Sequence, residues 1–393
     1  MRIVGKVSMV VMILAMWFSF ASCDDEFVED TNSPEIVEPG DDDNNGEDSD
    51  GEKDEGGDDD SNNNDGETGD ENRTVIENMT FTETVTYYGH EYDSLVIRNC
   101  TFENITGEGL ILGDVDEVIV EGCTFRNITG NAVRFATTRT SNNIRVEGNE
   151  IYDIDNCGIL TQEGHVNVQI LNNKIYRTAL DPEKGPHGVY LIGEGFHVEG
   201  NTIYDIGEGA AAGITSRTYG TLSRNKIYNV TGSGIDYSCD HPGFNGSLLI
   251  ENNIIYDNDR KGIHIMGGPN ESHIGEAIIR FNTIVSSNDE KTLWVDSGYY
   301  MEANFEIYGN ILINTKDSEN CLFVSPQHPA EYEAYNLLDT DDVGFVDFQA
   351  RNLHISASSD ASKFNVEAKD CPDIDFDGNN RSKSSQNVGA DEI

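Results

Sequence analysis

Side chains that can act as acids, bases, cations and stacking platforms recur in one frame of the sequence. The frame is a small residue followed by an aliphatic residue, as in Gly188-Val189 and Gly234-Ile235. Alternation along a strand turns the residue after each pair outward. The outward residues and their flanking neighbours include His187, Tyr190, Arg217, Asp236, Lys261, His264, Trp294 and Asp296. This mixture of groups on one strip is what a groove for a sugar polymer needs.

Cleavage of a uronic-acid polymer by β-elimination requires three groups, and the strip contains candidates for each. A base removes the proton at C5, a cation neutralises the carboxylate, and an acid protonates the departing oxygen. The base candidates are His187, His264, His241 and Lys261. Arg217 and Lys261 are the cation candidates, and Tyr190 and Tyr237 are the acid candidates. Because any solvent-facing strip of a repeat protein is polar, the prediction depends on the cluster and not on one residue.

The same strip predicts substrate contacts and a metal site. The substrate-binding candidates are Asp236, Tyr237, His241, Trp294 and Asp296. Asp236 and Asp240, the latter in an insertion that overhangs the strip, offer the carboxylate oxygens that Ca²⁺ prefers. Ca²⁺ is therefore the one candidate cofactor, although the sequence contains no compact calcium-binding loop.

An internal repeat specifies the elements that must position this strip. Its units run from Asn-Cys-Thr-Phe at 99–102 to Gly-Asn-Ile-Leu at 309–312, and successive units start 23 to 29 residues apart. Short β-branched runs alternate with Asn and Gly, which is typical of strands and turns. A coil of this length holds about three strands, and stacked coils pair as parallel sheets about 4.8 Å apart. The prediction is an all-β parallel β-helix (solenoid) of about 9–11 coils.

Asparagine occupies the second position of the repeat in seven successive units. These residues are Asn149, Asn173, Asn201, Asn225, Asn253, Asn282 and Asn310. Identical residues of stacked coils lie above one another, so each inward amide can hydrogen-bond to the next in a ladder. Asparagine also tolerates the left-handed backbone conformation of a turn. We therefore expect an amide ladder along one edge of the solenoid.

The repeat resembles that of the pectin-lyase-like right-handed parallel β-helix proteins between residues 95 and 320. The resemblance implies a single right-handed parallel β-helix. That fold includes lyases, hydrolases, epimerases and passive adhesins, so it does not by itself specify an activity. We favour a polysaccharide lyase. A non-catalytic glycan-binding or adhesin-like protein and a polysaccharide C5-epimerase stay open as alternatives.

Finer resemblances to individual enzyme families are incomplete. A similarity to the Gly-His-Gly segment of polygalacturonases is confined to residues 185–189, and the paired aspartates of that family are missing before it. Residues 237–242 resemble the Tyr-x-x-Asp-Pro-His segment of alginate C5-epimerases, with the last two residues exchanged. The Ser-Asn…Glu-Ala signature of alginate and chondroitin lyases of this fold is absent. Because the paired aspartates of the polygalacturonases are missing, hydrolysis is disfavoured.

The start of the chain predicts export and a lipid anchor. Arg2 and Lys6 precede an apolar run over 7–20 that is too short to span a membrane as a mature helix. The Ala-Ser-Cys that ends at Cys23 resembles a bacterial lipobox, in which Cys23 becomes the acylated first residue. We predict a signal peptide at 1–22, anchoring to the outer membrane through Cys23, and exposure at the cell surface.

An acidic segment follows the predicted anchor. Residues 24–72 contain 23 Asp or Glu against one lysine, Lys53, within a chain of net charge −47. Such a segment buries too little apolar surface to offset its ordering entropy, so we predict a disordered tether over 23–72. The acidic balance also excludes nucleic acid as a partner and requires local cations if the glycan is anionic.

The remainder, 73–393, is predicted to form the β-helix with a C-terminal cap from about residue 321. Within the cap, 344–347 and 352–355 are candidates for further coils. The tail from Asp375 to Glu392 resembles the D-x-x-G-x-x-R…G-A-x-E terminus of secreted β-helix carbohydrate-active proteins, and we interpret it as structural. A capped solenoid does not require a partner copy, so a monomer is expected.

A second outward column consists of tyrosines that follow the repeat unit. Its members are Tyr152, Tyr176, Tyr204, Tyr228 and Tyr256. Stacked tyrosines can form a platform for sugars, but a ladder of like residues that covers a turn is the commoner arrangement. The ladder is therefore the favoured interpretation.

Overall fold

The computed structural model describes residues 73–392, apart from short gaps. The gaps are 90–91, 138, 208–210, 240–244, 268–272, 297–303, 327–329, 332–334, 364, 367–370 and 383–385. The predicted signal peptide, Cys23 and the acidic tether lie outside the described residues. Among the described residues, no helix has the length and hydrophobicity needed to cross a membrane.

The described chain is a solenoid of three parallel sheets, with its strands numbered in chain order. Sheet 1 contains β1 (Arg73–Glu77), β4 (Ser94–Arg98), β7 (Glu117–Glu121), β10 (Asn142–Glu147), β13 (Val166–Leu171), β16 (Phe196–Glu199), β19 (Gly220–Ser223), β22 (Asn245–Glu251), β25 (His273–Arg280), β28 (Asn304–Tyr308) and β31 (Ala330–Glu331). Sheet 2 contains β2 (Thr80–Phe81), β5 (Thr101–Ile105), β8 (Thr124–Ile128), β11 (Glu150–Ile154), β14 (Lys174–Tyr176), β17 (Thr202–Ile206), β20 (Lys226–Val230), β23 (Ile254–Tyr256), β26 (Thr283–Ser286), β29 (Ile311–Asn314) and β32 (Leu337–Asp339). Sheet 3 contains β3 (Val85–Tyr88), β6 (Leu110–Gly113), β9 (Val133–Phe135), β12 (Ile159–Leu160), β15 (Val189–Leu191), β18 (Ile214–Ser216), β21 (Ile235–Cys239), β24 (Ile263–Gly267), β27 (Leu293–Val295) and β30 (Leu322–Val324). Every third strand joins the same sheet, which confirms the all-β parallel solenoid.

The core is the interior of the solenoid, and strand alternation explains how it forms. In β11 the burial alternates, so that Ile151 points inward while Glu150 and Tyr152 point outward. Ile151 pairs with Ile175 of the next coil, and both are 0% exposed. Each such side chain contributes about 1.5–3 kcal/mol through burial. The stability of the solenoid therefore accumulates coil by coil.

The asparagine ladder is present and is longer than predicted. Each Nδ2 donates to the Oδ1 of the next asparagine at 2.8–3.1 Å, from Asn149 onward. The ladder ends at Asn336, one coil beyond the predicted last member, Asn310. The left-handed backbone conformation lies one residue before the ladder, as in Gly148 with φ 64°. Its assignment to the ladder asparagine itself was wrong, because that side chain must point inward.

The solenoid extends to Asp339, past the predicted start of the cap near 321. The two segments considered as further coils instead form an antiparallel hairpin, β33 (Phe345–Asp347) with β34 (Asn352–Ile355). A second antiparallel pair follows, β35 (Asn365–Val366) with β36 (Gln386–Asn387). Single-turn 3₁₀ helices occur at Pro182–Lys184, Ser318–Asn320 and Ala361–Lys363.

The C-terminal cap packs along the outer face of sheet 2. Outward Ile254, Val285 and Ile313 are buried in a second apolar cluster with residues of the cap. Arg381 extends from the cap into this layer, and its Nη2 donates to Asn252 Oδ1 at 2.8 Å. Asn252 Nδ2 in turn donates to the carbonyl of Ile374 at 2.9 Å. The tail motif therefore links the cap to the solenoid through hydrogen bonds.

Candidate functional site

The predicted outward strip lies on sheet 3, and the strand register confirms its order. The paired positions run Tyr190, Thr215, Asp236, His264, Trp294 and Phe323. Neighbouring strands of a sheet lie about 4.8 Å apart, so consecutive side chains can touch. The structure thus brings together groups from β15, β18, β21, β24, β27 and β30.

Asp236 and His264 form an acid–base pair in the middle of the column. His264 Nδ1 lies 3.5 Å from Asp236 Oδ1, and the side chains are 14% and 18% exposed. Burial opposes the ionisation of Asp236, but hydrogen bonds from His264 and Ser233 and the electrostatic effect of the two histidines, His264 and His187, outweigh it and hold the pKa of Asp236 below its usual range. An ionised Asp236 favours the His264 tautomer with its proton on Nδ1. The Nε2 lone pair of His264 is then available as a base.

His187 has the opposite tautomer. Its Nδ1 accepts the backbone N–H of Ala212 at 3.0 Å and lies 3.1 Å from Thr215 Oγ1. An N–H donor requires a lone pair on Nδ1, so the proton of the neutral ring is on Nε2. Burial lowers the pKa of His187 to about 4. His187 is therefore a neutral hydrogen-bond donor, and its interpretation as a base is corrected.

Arg217 supplies a cation between Tyr190 and Ser238. Its Nη1 donates to Ser238 Oγ at 3.3 Å, and its guanidinium carbon lies 5.7 Å from the centre of the Tyr190 ring. The His187 ring is 5.3 Å from the same tyrosine. Tyr190 is 7% exposed and also packs against Cys157, Leu160 and Ile192. Arg217, Tyr190 and His187 form one contiguous donor group.

Lys261 is already engaged by two partners. Its Nζ lies 3.1 Å from Glu290 Oε2 and 4.5 Å from the centre of the Trp294 ring. The His264 ring is 5.7 Å from Trp294, and Phe323 meets Trp294 edge-on at 5.5 Å. A carboxylate and an aromatic face thus both hold the amine of Lys261 in place. This geometry favours positioning of Trp294 over either catalytic role that the sequence suggested for Lys261.

The remaining candidates separate into three groups. Tyr237 is 1% exposed and packs in the core, because it lies one residue after outward Asp236. Its selection as an acid and as a substrate contact was therefore wrong. Asp296 follows β27, with its backbone N–H donating to Ile265 at 2.9 Å, and stays a candidate at the edge of the strip. Asp240 and His241 lie outside the described residues.

Of the two predicted Ca²⁺ ligands, Asp236 is described and Asp240 lies outside the described residues. Ca²⁺ prefers six to eight oxygen ligands, whereas Asp236 contacts the imidazole of His264 and is influenced by that of His187. Within the described residues, a group of three potential metal ligands occurs instead in the cap, at His354, Asp377 and Asp391. We therefore derive no catalytic step through Ca²⁺.

Sequence reasoning missed two members of the site. Phe323 extends the aromatic end of the strip, and Glu290 holds Lys261. Phe323 was detectable, because Cys321-Leu322-Phe323 repeats the small, aliphatic, outward order of the frame. Glu290 lies in a turn between coils, where strand alternation does not predict whether a side chain points inward or outward.

The tyrosine column is a ladder on sheet 2 and not a sugar platform. Neighbouring rings from Tyr152 to Tyr256 stack with centres 4.9–5.1 Å apart and planes within 9° of parallel. A sugar stacks on a ring face, and both faces of each internal ring are occupied. The favoured structural interpretation of these residues is confirmed.

Comparisons with known proteins address the fold. No curated protein matches the chain. The structure of XylC in complex with xylose has a TM-score of 0.50 at 12% identity, covering 76% of this chain and 64% of that chain. Pectate lyase Pel9A has a TM-score of 0.45 at 12% identity, covering 81% of this chain and 97% of that chain. The matched region thus spans under two thirds of the XylC chain.

A protein family provides the assignment. The family described as right handed beta helix region matches residues 60–203 and 138–312. Together these matches extend over more than half of the chain, and they include most of the three-sheet solenoid, which runs from Arg73 to Asp339. The protein therefore belongs to the right-handed β-helix family.

Proposed function

We propose that this protein cleaves a uronic-acid polysaccharide by β-elimination, with His264 as the base. The observation that carries the proposal is the Asp236–His264 pair. Asp236 orients the imidazole, and Nε2 of His264 takes the C5 proton of the sugar. The electrons of the C–H bond form the C4–C5 double bond as the C4–O bond breaks.

The donor group around Tyr190 supplies the rest of the reaction. Arg217 neutralises the sugar carboxylate, which makes the C5 proton more acidic. His187 donates a hydrogen bond from Nε2 to the developing anion, since its Nδ1 is held by Ala212. Tyr190 protonates the departing oxygen. The net charge of −47 opposes an anionic polymer, so the local cation Arg217 is needed for binding as well as for chemistry.

A second candidate function is glycan binding without cleavage. It is favoured by the aromatic end of the strip, where Trp294 and Phe323 are adjacent and Lys261 covers one ring. Aromatic rings bind sugars through their apolar faces. In this alternative the Asp236–His264 pair contributes hydrogen bonds only.

The location that we propose comes from the sequence. Cys23, after a signal peptide at 1–22, carries the lipid anchor, and the acidic residues that follow hold the solenoid away from an outer-membrane surface. An anchored solenoid at the cell surface has access to extracellular polysaccharide. Labelled palmitate incorporated into the wild type but not into Cys23→Ala tests the anchor.

The activity is tested by incubating the purified protein with a panel of uronic-acid polymers. We expect ultraviolet absorbance from the new double bond and shorter chains, and loss of both in His264→Gln. If the protein binds a polymer of the panel and no polymer of the panel yields product, the second candidate is supported and the first is contradicted. A changed sugar configuration without shorter chains indicates a C5-epimerase.

A further inference from the structure

Three potential metal ligands meet in the C-terminal cap, away from the strip on sheet 3. His354 lies on β34, Asp377 in the turn that follows Asp375, and Asp391 near the end of the chain. One ligand atom of each lies within 4.8 Å of the other two. His354 Nε2 is 3.0 Å from Asp377 Oδ2. The fold, and not local sequence, brings these three segments together.

Asn352 orients the imidazole of His354 from outside this group. Its Oδ1 accepts the backbone N–H of His354 at 3.4 Å and lies 2.6 Å from His354 Nδ1. The amide oxygen of Asn352 is an acceptor, so its hydrogen bond with the imidazole requires a proton on His354 Nδ1. Nε2 is then the nitrogen that faces Asp377. Metal-bound histidines are held in this way, by an acceptor on the nitrogen that does not ligate.

Asp391 is a carboxylate buried beside other carboxylates. It is 6% exposed, and its Oδ2 accepts the backbone N–H of Ile355 at 2.9 Å. The guanidinium of Arg381 gives its Nη hydrogen bonds to other groups. A cation bound between Asp377 and Asp391 would compensate the charge of these two carboxylates, whose ligand atoms lie within 4.8 Å of each other.

We propose that His354, Asp377 and Asp391 bind one first-row divalent transition-metal ion. An imidazole with two carboxylates suits such ions, whereas Ca²⁺ prefers oxygen alone. Two ligands of one tetrahedral Zn²⁺ lie roughly 3.3 Å apart for bonds of about 2.0–2.1 Å, close to the observed 3.0 Å. The side chains of His354 and Asp377 are 35% and 45% exposed, so water can complete the coordination. The ion fastens three segments of the cap to one another.

The test measures Zn²⁺ binding to the full chain by calorimetry, with excess Mg²⁺ to occupy the acidic residues near the N-terminus. We expect one Zn²⁺ per chain, and affinity at least about tenfold lower in His354→Gln and Asp377→Asn. Both side chains are partly exposed, and circular dichroism verifies that the variants fold. Co²⁺ in place of Zn²⁺ should give visible absorption that is lost in the same two variants.

His197→Gln is the matched control. His197 also contacts a carboxylate, that of Glu199, but the further partner of Glu199 is Arg224 and not a second carboxylate. This variant should bind Zn²⁺ as the wild type does. Equal affinity in all four proteins, or no Zn²⁺ bound in excess Mg²⁺, would overturn the site. Neither result bears on the activity proposed for sheet 3.

Discussion

His187 Nδ1 accepts the backbone N–H of Ala212, a residue of the next coil, across 3.0 Å. This hydrogen bond gives His187 a different tautomer, and so a different role, from His264. His187 presents a proton through Nε2, while His264, held by Asp236 at its Nδ1, presents a lone pair. The stacking of coils thus sets the tautomer of a ring through the main chain of its neighbour.

Substitution of the two histidines should therefore have unequal effects on elimination. His264→Gln removes the base and should lower product formation by about 10²–10⁴-fold. His187→Gln keeps an N–H donor and should lower it far less. Initial rates of absorbance increase compare both variants with wild type. Equal losses in the two variants would contradict the assignment of His264 as the base.

Stability should rise with pH between about 4 and 6.5 because of His187. Its folded pKa is about 4, below the unfolded value of about 6.5. The unfolded chain binds the proton first as pH falls, so the native state loses up to about 3 kcal/mol by pH 4. Above pH 6.5 this penalty is absent. Thermal midpoints of His187→Gln should depend less steeply on pH in this window than those of wild type. Parallel curves for the two proteins would contradict this role of His187.

Interruption of the asparagine ladder should destabilise the solenoid strongly. Asn225 Oδ1 accepts from the N and Nδ2 of Asn201, and its Nδ2 donates to Asn253 and to the carbonyl of Val198. Asn225→Ala removes one hydrogen bond from each of these buried groups, although Asn201 Nδ2 keeps the carbonyl of Ile170 and Asn253 Oδ1 keeps the backbone N–H of residue 225, and it should cost about 3–5 kcal/mol. Denaturant midpoints measure the loss. The control Thr221→Ala, on the outer face of sheet 1, should change stability by about 0.5 kcal/mol or less.

The two aromatic columns should respond differently to truncation. Trp294→Ala removes a partly exposed ring of the strip and should weaken glycan binding by at least about tenfold. Tyr204→Ala breaks two ring stacks and should cost about 1–3 kcal/mol of stability without changing glycan affinity. Affinity electrophoresis and thermal melts separate the two effects. A glycan affinity that depends on Tyr204 would restore the sugar-platform interpretation.

The sheet 3 column was predictable because alternation and the repeat both specify direction. The frame that turned Asp236 and His264 outward also turned Tyr237 inward, and Tyr237 was nevertheless selected for its chemistry. The tautomer of His187 was not predictable, since it depends on a backbone N–H one coil away. Asn336 was missed although Tyr335-Asn336-Leu337-Leu338 keeps the asparagine and the aliphatic position of the repeat unit, 26 residues after Asn310.

The cap shows a different limit of sequence reasoning. The segments at 344–347 and 352–355 have the alternation of strands, but the same alternation fits a parallel coil and an antiparallel hairpin. The choice depends on the outward apolar residues of sheet 2, such as Ile254 and Val285, which the hairpin helps to cover. A periodic pattern identifies a strand without identifying its partner.

The contact between Arg381 and Asn252 is part of the packing by which the cap covers the outer face of sheet 2. Ile254, Val285 and Ile313 point away from the interior of the solenoid, so a chain without the cap would expose them to water. An exposed apolar patch of this kind favours aggregation. The cap therefore also protects the solenoid from association with other molecules.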